Sequence, residues 1–293
     1  MVSSISKDNS NIYNNSYWKN LISYDISWTF LNSIAKELFE QYPYALSHSI
    51  LRSVEMYLFG SIIKSNNESM ILDLGCGDGV FFSIFKKKFQ LVYKKLIGID
   101  VNEDELKKAA KLDIYNDLIC CDARLLPFKD NSIEICLSVS VLEHIPCYPK
   151  VLTEIQRILK ENCVFYTSVV NAEEFSSNFV IPKVLGKTGI KFLQKNYIHT
   201  HKIKNHHLVS NHTEDWLFDF KRSQFRLEKV IGVWTPDFIY ASSKLGILNF
   251  IFGFLPQTFR AKWIKNFFIR NGKNSLSDPT ITGAVYIEAK KYS

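Results

Sequence analysis

Apolar residues fall into two regimes along this chain. From about residue 17 to residue 64 they recur every three or four positions, and from residue 70 they gather into short runs separated by polar, helix-like stretches. The first regime reads as two helices. One carries Trp18, Leu21, Ile22, Trp28, Phe30, Leu31, Ile34, Leu38 and Phe39 and stops before Pro43. The other, over about 47–64, carries Ile50, Leu51, Val54, Met56, Tyr57, Leu58 and Ile62. The second regime predicts strand 70–74, helix 79–88, strand 95–100, helix 103–111, strands 117–121 and 133–139, helix 148–160 and strand 163–170. Strands alternating with helices give a parallel sheet covered on both faces.

The chemistry is concentrated where these strands end. Met70–Leu74 runs straight into Gly75-Cys76-Gly77-Asp78-Gly79 and then a helix. Alternate glycines permit a tight turn with positive φ, and the turn delivers the unpaired N–H groups of a helix start. A dinucleotide-binding turn has the spacing G-x-G-x-x-G. Here the spacing is G-x-G-x-G, and a carboxylate, Asp73, stands just before it. That carboxylate would repel a pyrophosphate and favour a ligand bearing an ammonium and a sulfonium, as S-adenosylmethionine (SAM) does. Asp100 ends the second strand, where a carboxylate can accept ribose hydroxyls. Asp122 and Ala123 follow the third, where a side-chain acceptor suits an exocyclic amine.

With these residues in order, the stretch 70–170 resembles the class I SAM-dependent methyltransferases, of the type-11, small-molecule kind. Leu72–Gly79 is similar to their first motif and Gly98-Ile99-Asp100 to the ribose-binding acid segment. Cys121-Asp122-Ala123 with Leu126-Pro127-Phe128 resembles the adenine segment, and Val141-Leu142-Glu143-His144-Ile145 the segment after strand four. Leu152–Lys160 resembles the helix before strand five, with Glu161-Asn162 where many relatives have Pro-Gly. The resemblance implies a Rossmann-like three-layer α/β sandwich. Its seven-stranded sheet is mostly parallel with an antiparallel last strand. It also implies SAM as cofactor, held by Asp73, Gly75, Cys76, Gly77, Gly79, Asp100, Val101, Asp122, Ala123 and Ser138.

Composition adds bounds. With 293 residues and 46% hydrophobic content the chain can build a substantial core. A net charge of +7 permits an anionic surface or substrate without requiring one. Six cysteines without a C-x-x-C pair read as reduced thiols in a cytoplasmic protein. Residues 1–16 are polar, lack an apolar signal core and read as a disordered tail. Residues 17–66 read as a helical lid, with Tyr13, Tyr17, Trp18 and Arg52 as candidate contacts. Residues 67–293 read as the SAM-binding domain, with acceptor-cap insertions at 171–223 and 236–279.

Past strand five the pattern loosens into a loop-rich cap with histidines at 199, 201, 206, 207 and 212. A helix begins near 213, capped by Thr213 or Asn211. Strands follow at 225–234 and 283–290. Relatives usually join such strands directly, whereas about 45 residues intervene here. That insertion holds the apolar run Leu245–Leu255 and then Arg260, Lys262, Lys265 and Arg270. The run is too short to cross a bilayer. It is read first as a lid over an apolar acceptor pocket, second as a membrane-interface contact through 245–270, and third as a homodimer contact.

Methyl transfer from SAM is an in-line displacement whose donor is already activated, so the protein mainly positions the reactants and excludes water. An oxygen acceptor needs a base, and histidine suits neutral pH. His144, beside the crevice, and His207, in the cap, are the candidates. The histidines have no cysteine partner at metal-site spacing, so no metal is expected. The expected function is methyl transfer to a small, largely apolar acceptor, with oxygen the favoured atom. One alternative is a lipid-linked saccharide or quinone-like acceptor taken at a membrane surface. The other is a non-catalytic SAM-binding partner subunit. Nucleic acid is not expected as a partner, because lysines are dispersed and Ser138-Val139-Ser140-Val141 stands where base-amine methylases carry an aromatic loop.

Overall fold

The computed structural model of the protein describes residues 28–63, 68–209, 211–271, 276–277 and 282–291. The tail 1–16 and the lid candidates Tyr13, Tyr17 and Trp18 lie outside the described residues. Two helices lead, α1 (Trp28–Gln41) and α2 (Leu46–Ile62). The alternating part continues as β1 (Met70–Leu74), α3 (Val80–Phe89), β2 (Lys95–Asp100), α4 (Glu103–Ala110), β3 (Asp117–Cys120), β4 (Ile133–Val139), α5 (Pro149–Ile158) and β5 (Leu159–Val170). A single 3-10 turn, Leu142–His144, bridges β4 to α5. Then come α6 (Ala172–Ser177), α7 (Val180–Lys187), α8 (Lys191–Lys204), α9 (Thr213–Arg222), β6 (Phe225–Val233), α10 (Pro236–Ile251), α11 (Gln257–Asn271), the two-residue β7 (Leu276–Ser277) and β8 (Ala284–Lys291).

The sheet order is β3-β2-β1-β4-β5-β8-β6-β7. The first five strands are parallel, and β8 enters antiparallel between β5 and β6. This is the expected Rossmann-like sandwich, with β7 added at the edge beside β6. Apolar runs with every residue from Ile71 to Leu74 buried suit a strand covered on both faces. In α5, Val151, Leu152, Ile155 and Ile158 form the buried stripe on an otherwise polar helix. The acids at the start of α4 sit over its N-cap, where Asn102 accepts from the Asp104 and Glu105 N–H groups at 3.0 and 3.3 Å. Lys87 and Lys88, at the end of α3, both pair with Glu37 of α1, at 2.7 and 2.9 Å.

Three expectations change. The stretch 171–223 is helical, not loop-rich: α6 to α9 occupy most of it, and His199 and His201 lie within α8. No residue of α8 is buried, so it has no apolar stripe for periodicity to detect. The cap of α9 is His212, whose N–H donates to Asp215 at 2.9 Å, rather than Thr213 or Asn211. Strand β5 begins at Leu159, earlier than 163, because Leu159 pairs with Ile133 across a bulge in β4.

The insertion after β6 packs on the N-terminal helices, α10 against α2 and α11 against α1. Arg260, almost fully buried, donates to the Pro43 carbonyl at 3.1 Å and to Asn249 at 2.7 Å. Trp234, at the end of β6, donates to the Leu51 carbonyl at 2.9 Å. Chain end and chain start are thereby joined over one end of the sheet.

Candidate functional site

The C-terminal ends of β1, β2 and β4 open into one crevice, the place where open α/β sheets bind ligands. It has two lobes of about 520 and 410 Å³ that share Arg52, Gly75 and Val139 as walls. Both volumes fall within the ordinary range of small-molecule sites, ~300–1,000 Å³. The first lobe is lined by Leu38, Tyr42, His48, Asp73, Cys76 and Phe81, so α1 and α2 form its outer wall. The second is lined by Ile99, Asp100, Val101, Cys121, Asp122, Ala123 and His144, among others.

The turn after β1 is built tightly. Gly75 has φ +72°, and a Cβ there would stand 2.6 Å from both γ-carbons of Val141, so only glycine fits. The Gly75 and Cys76 N–H groups donate to the Ile99 carbonyl at 2.8 and 2.9 Å, and Gly77 N–H donates to Asp100 Oδ2 at 2.9 Å. Asp100 Oδ1 accepts from Asn102 N–H at 2.9 Å. Each carboxylate oxygen can accept more than once, so lone pairs remain for two ribose hydroxyls. Asp73 is buried, and Tyr115 donates to its Oδ2 at 2.7 Å. Burial pushes the Asp73 carboxyl up to about 7, against the pull of the Tyr115 hydrogen bond. Burial also pushes the Cys76 thiol well above its ordinary range, so it is held as a neutral thiol rather than a nucleophile.

Arg52 is the cation shared by the two lobes. Its guanidinium donates to Glu55 at 2.8 Å, and the fully buried Glu55 carboxylate also accepts from Ser140 Oγ at 3.0 Å. This pair ties α2 to the loop after β4 and aims Arg52 at the junction of the two lobes. On the far side, Asp122 is held by Arg124 through both carboxylate oxygens, and the pair is exposed. The guanidinium keeps that carboxyl below its usual range. An exposed pair of this kind is worth little and can open for a ligand amine.

The expected donor residues are therefore brought together, with Asp73, Gly75, Cys76, Asp100, Val101, Asp122 and Ala123 on the walls and Gly77 and Gly79 in the turn. Ser138 is not: it is fully buried in β4 and lines neither lobe, while its neighbours Val139 and Ser140 do. Strand alternation carries its side chain away from the crevice. His144 lines the second lobe, and its Nδ1 is 2.9 Å from the His206 carbonyl. With Nδ1–H donating there, Nε2 is the free lone pair. His207 packs beside it, ring centres 5.3 Å apart. Burial lowers both imidazoles, His207 to about 4, so both are neutral at pH 7.

Sequence reasoning missed Tyr42, Glu55, Tyr115 and Glu143. Tyr42 donates to Asp78 Oδ2 at 2.5 Å. Glu55 carried a signal, since a glutamate among the apolar positions of α2, three residues after Arg52, needs a buried partner. Tyr115 carried none.

The donor set suits SAM. A buried carboxylate and a guanidinium lining one lobe can meet an amino-acid ammonium and carboxylate. The Gly75 cradle has no room for a side chain, and an apolar slot of Ile99, Cys121, Ala123 and Val141 beside Asp100 suits an adenine and its ribose.

Comparison with known proteins agrees. Residues 72–167 match the family model described as a methyltransferase domain. An uncharacterized protein of Methanocaldococcus jannaschii is 34% identical over 119 residues, 41% of this chain and 48% of that protein. The human mitochondrial arginine-hydroxylase NDUFAF5 is 31% identical over 99 residues, 34% of this chain and 28% of that one. The chain thus spans less than half the length of either relative. A Thermotoga maritima SAM-dependent methyltransferase, described as a possible histamine N-methyltransferase, superposes with a TM-score of 0.53 at 17% identity, over 90% of this chain and 99% of that one. The motif run, the strand order and the matched residues agree: residues 72–167 carry a methyltransferase domain of the class I SAM-dependent kind.

Proposed function

We propose that the protein transfers a methyl group from SAM to an oxygen of a small, largely apolar molecule. The observation that carries the reading is the first lobe at the end of β1, lined by both the Asp73 carboxyl and the Arg52 guanidinium, with Arg52 also on the wall of the second. In this reading Asp73 receives the donor's ammonium, Arg52 its carboxylate, Asp100 the ribose and the Asp122–Ala123 segment the adenine. The acceptor enters through the first lobe, between Leu38 and Phe81, and extends to the junction with the second, whose wall carries His144. In-line displacement then needs the acceptor oxygen behind the methyl carbon with water excluded, which α1 and α2 supply as a wall. His144 and His207 are the groups proposed to handle the acceptor's proton. The free His144 Nε2 on the crevice wall supports this assignment.

Titration calorimetry with S-adenosylhomocysteine tests the donor half. A single site with micromolar or tighter affinity is expected, and absence of binding while NAD binds overturns the reading. Isotope transfer from methyl-labelled SAM to a panel of phenols, acids and amines then separates an enzyme from a silent SAM-binding subunit.

A second reading, in which the acceptor is taken from a membrane surface, is favoured by the outer side of the insertion. Phe250 and Phe254 are 88% and 78% exposed, with Ile251 and Phe259 exposed beside them and Lys262, Lys265 and Arg270 exposed on α11. Apolar side chains flanked by cations suit an anionic bilayer interface. No helix among the described residues is long and apolar enough to cross a membrane.

A further inference from the structure

Glu143 is a buried carboxyl that the crevice chemistry described above does not use. It is fully buried, it follows the crevice strand β4, and neither carboxylate oxygen has a hydrogen-bond partner among the described residues. An ionised carboxylate buried without a partner costs several kcal/mol, so the group either stays protonated or meets a cation. Two imidazoles face it. One ligand atom each from Glu143, His144 and His207 lie within 4.8 Å of one another. His207 Nδ1 is also buried without a hydrogen-bond partner. His144 Nδ1 is spent on the His206 carbonyl at 2.9 Å, which fixes the ring and points a lone pair away from it. A backbone carbonyl holding the far nitrogen is how metal-ligating histidines are usually oriented.

The scaffold fastens these three together. Leu208 and Val209 N–H groups both donate to the Glu143 carbonyl, at 2.9 and 3.0 Å, clipping the segment after α8 onto the 3-10 turn. Residues far apart in sequence are thus held as one cluster by main-chain bonds that any side chains could have used. What is particular to this chain is that the side chains are a carboxylate and two imidazoles.

From this juxtaposition we infer that Glu143, His144 and His207 bind one divalent transition-metal ion at the edge of the crevice. A metal bonded at ~2.1 Å needs ligand atoms about 3.3 Å apart, a closure within reach of side-chain torsions. Two imidazoles and one carboxylate suit manganese through zinc, and not the all-oxygen preference of magnesium or calcium. Three protein ligands leave coordination positions open, as in catalytic rather than structural sites. Because His144 also lines the second lobe, an open position faces the crevice. A coordinated imidazole has no lone pair left to take a proton, so with the ion bound the metal, rather than His144 or His207, would acidify an oxygen that reaches the second lobe. That consequence rests on the proposed methyl transfer; the metal site itself does not. Cysteine spacing in the sequence gives no hint of this site, because its ligands are a carboxylate and an imidazole at the adjacent positions Glu143 and His144 and a second imidazole, His207, from the cap.

The test uses the untagged full-length chain, stripped with chelator and titrated with Zn2+ in a calorimeter, with Co2+ as the optical reporter and Mg2+ for comparison. One tightly bound Zn2+ per chain and visible Co2+ absorption of a low-coordinate site are expected, with no Mg2+ heat. Glu143→Gln and His207→Gln keep volume and should each weaken Zn2+ by more than the ~10–100-fold that loss of an outer-sphere partner costs. His212→Ala, an exposed histidine paired with Glu174, should leave it unchanged. Melting curves of both glutamine variants establish that they fold; should one not fold, the other carries the test. Zn2+ affinity that is unmoved by either variant, or that falls with His212→Ala instead, overturns the site. S-adenosylhomocysteine binding measured on the same samples reports separately on the donor crevice, so either reading can fail alone.

Discussion

Replacing Asp73 by asparagine should weaken the donor and strengthen the fold. Asp73 is buried at the end of β1 with Tyr115 as its hydrogen-bond donor, and its carboxyl is pushed from 3.8 to about 7. A folded-state pKa above the unfolded one means that the protonated form is the stabilised one. That contribution is fully present below pH 3.8 and is lost as pH rises through 7. At 1.36 kcal/mol per pH unit the ionised carboxylate leaves the fold up to about 4 kcal/mol less stable than the neutral acid. Asparagine imitates the neutral acid and can still accept from Tyr115. Urea unfolding at pH 8 should therefore find Asp73→Asn more stable than the parent, with the gap closing toward pH 5.

Donor binding should move the other way. A charge-assisted hydrogen bond to the ammonium is worth ~1.5–3 kcal/mol, so S-adenosylhomocysteine affinity should fall roughly 10- to 100-fold in the variant. In the parent, about half the chains carry the charge at pH 7, and affinity should improve about tenfold between pH 6 and pH 8. The variant run in parallel subtracts the ligand's own titration and should lack this slope. If the two proteins show the same pH dependence, or if the variant is no more stable at pH 8, the assignment of Asp73 as the buried donor-binding charge is wrong.

The same geometry yields three further outcomes. Arg52→Ala should weaken donor binding at least tenfold and lower unfolding free energy by about 3 kcal/mol, because it strands the buried Glu55 carboxylate; Arg52→Ala with Glu55→Gln should recover the stability and not the affinity. Gly75→Ala should abolish donor binding, since its Cβ would meet Val141 at 2.6 Å from a positive φ, and adding Val141→Ala should relieve the contact but not the backbone strain. Phe250→Ser with Phe254→Ser should leave the melting temperature unchanged, both rings being exposed, and should abolish flotation with anionic vesicles if the membrane reading holds.

How much of this was legible without coordinates varied with the kind of signal. The strands from Met70 to Val170 and the acids Asp73, Asp100 and Asp122 could be read directly, because the strands are short apolar runs and each of these acids stands within two residues of the C-terminal end of β1, β2 or β3. The insertions could not. Helix α8 buries nothing and α10 is apolar nearly all round, so neither has the one-sided stripe that periodicity detects. Ser138 and Val139 illustrate a finer limit, since a one-residue step along β4 decides between interior and crevice. The partners of buried charges were hidden for a different reason. Tyr115 meets Asp73 across 42 residues, and Ser140 meets Glu55 across 85, distances at which composition and spacing carry no pairing information.

Those hidden pairings bear on the role of the 236–271 insertion. Arg52 reaches the crevice from α2, and α2 is positioned less by the sheet than by the chain from the end of β6 onward. Trp234 holds the Leu51 carbonyl, the residue just before Arg52, and Arg260 holds the Pro43 carbonyl in the turn between α1 and α2. Asn249 and Arg260 are bonded to each other and buried, so α10 and α11 grip that turn as a unit. The insertion is therefore a buttress for the wall carrying Arg52 as well as an outer surface. Arg260→Met removes the carbonyl contact with Pro43 while keeping apolar volume against Phe39. Donor affinity should fall severalfold in this variant although residue 260 lines neither lobe. If affinity is unchanged while the melting temperature drops, α2 is held by its own core contacts and the insertion serves its surface alone.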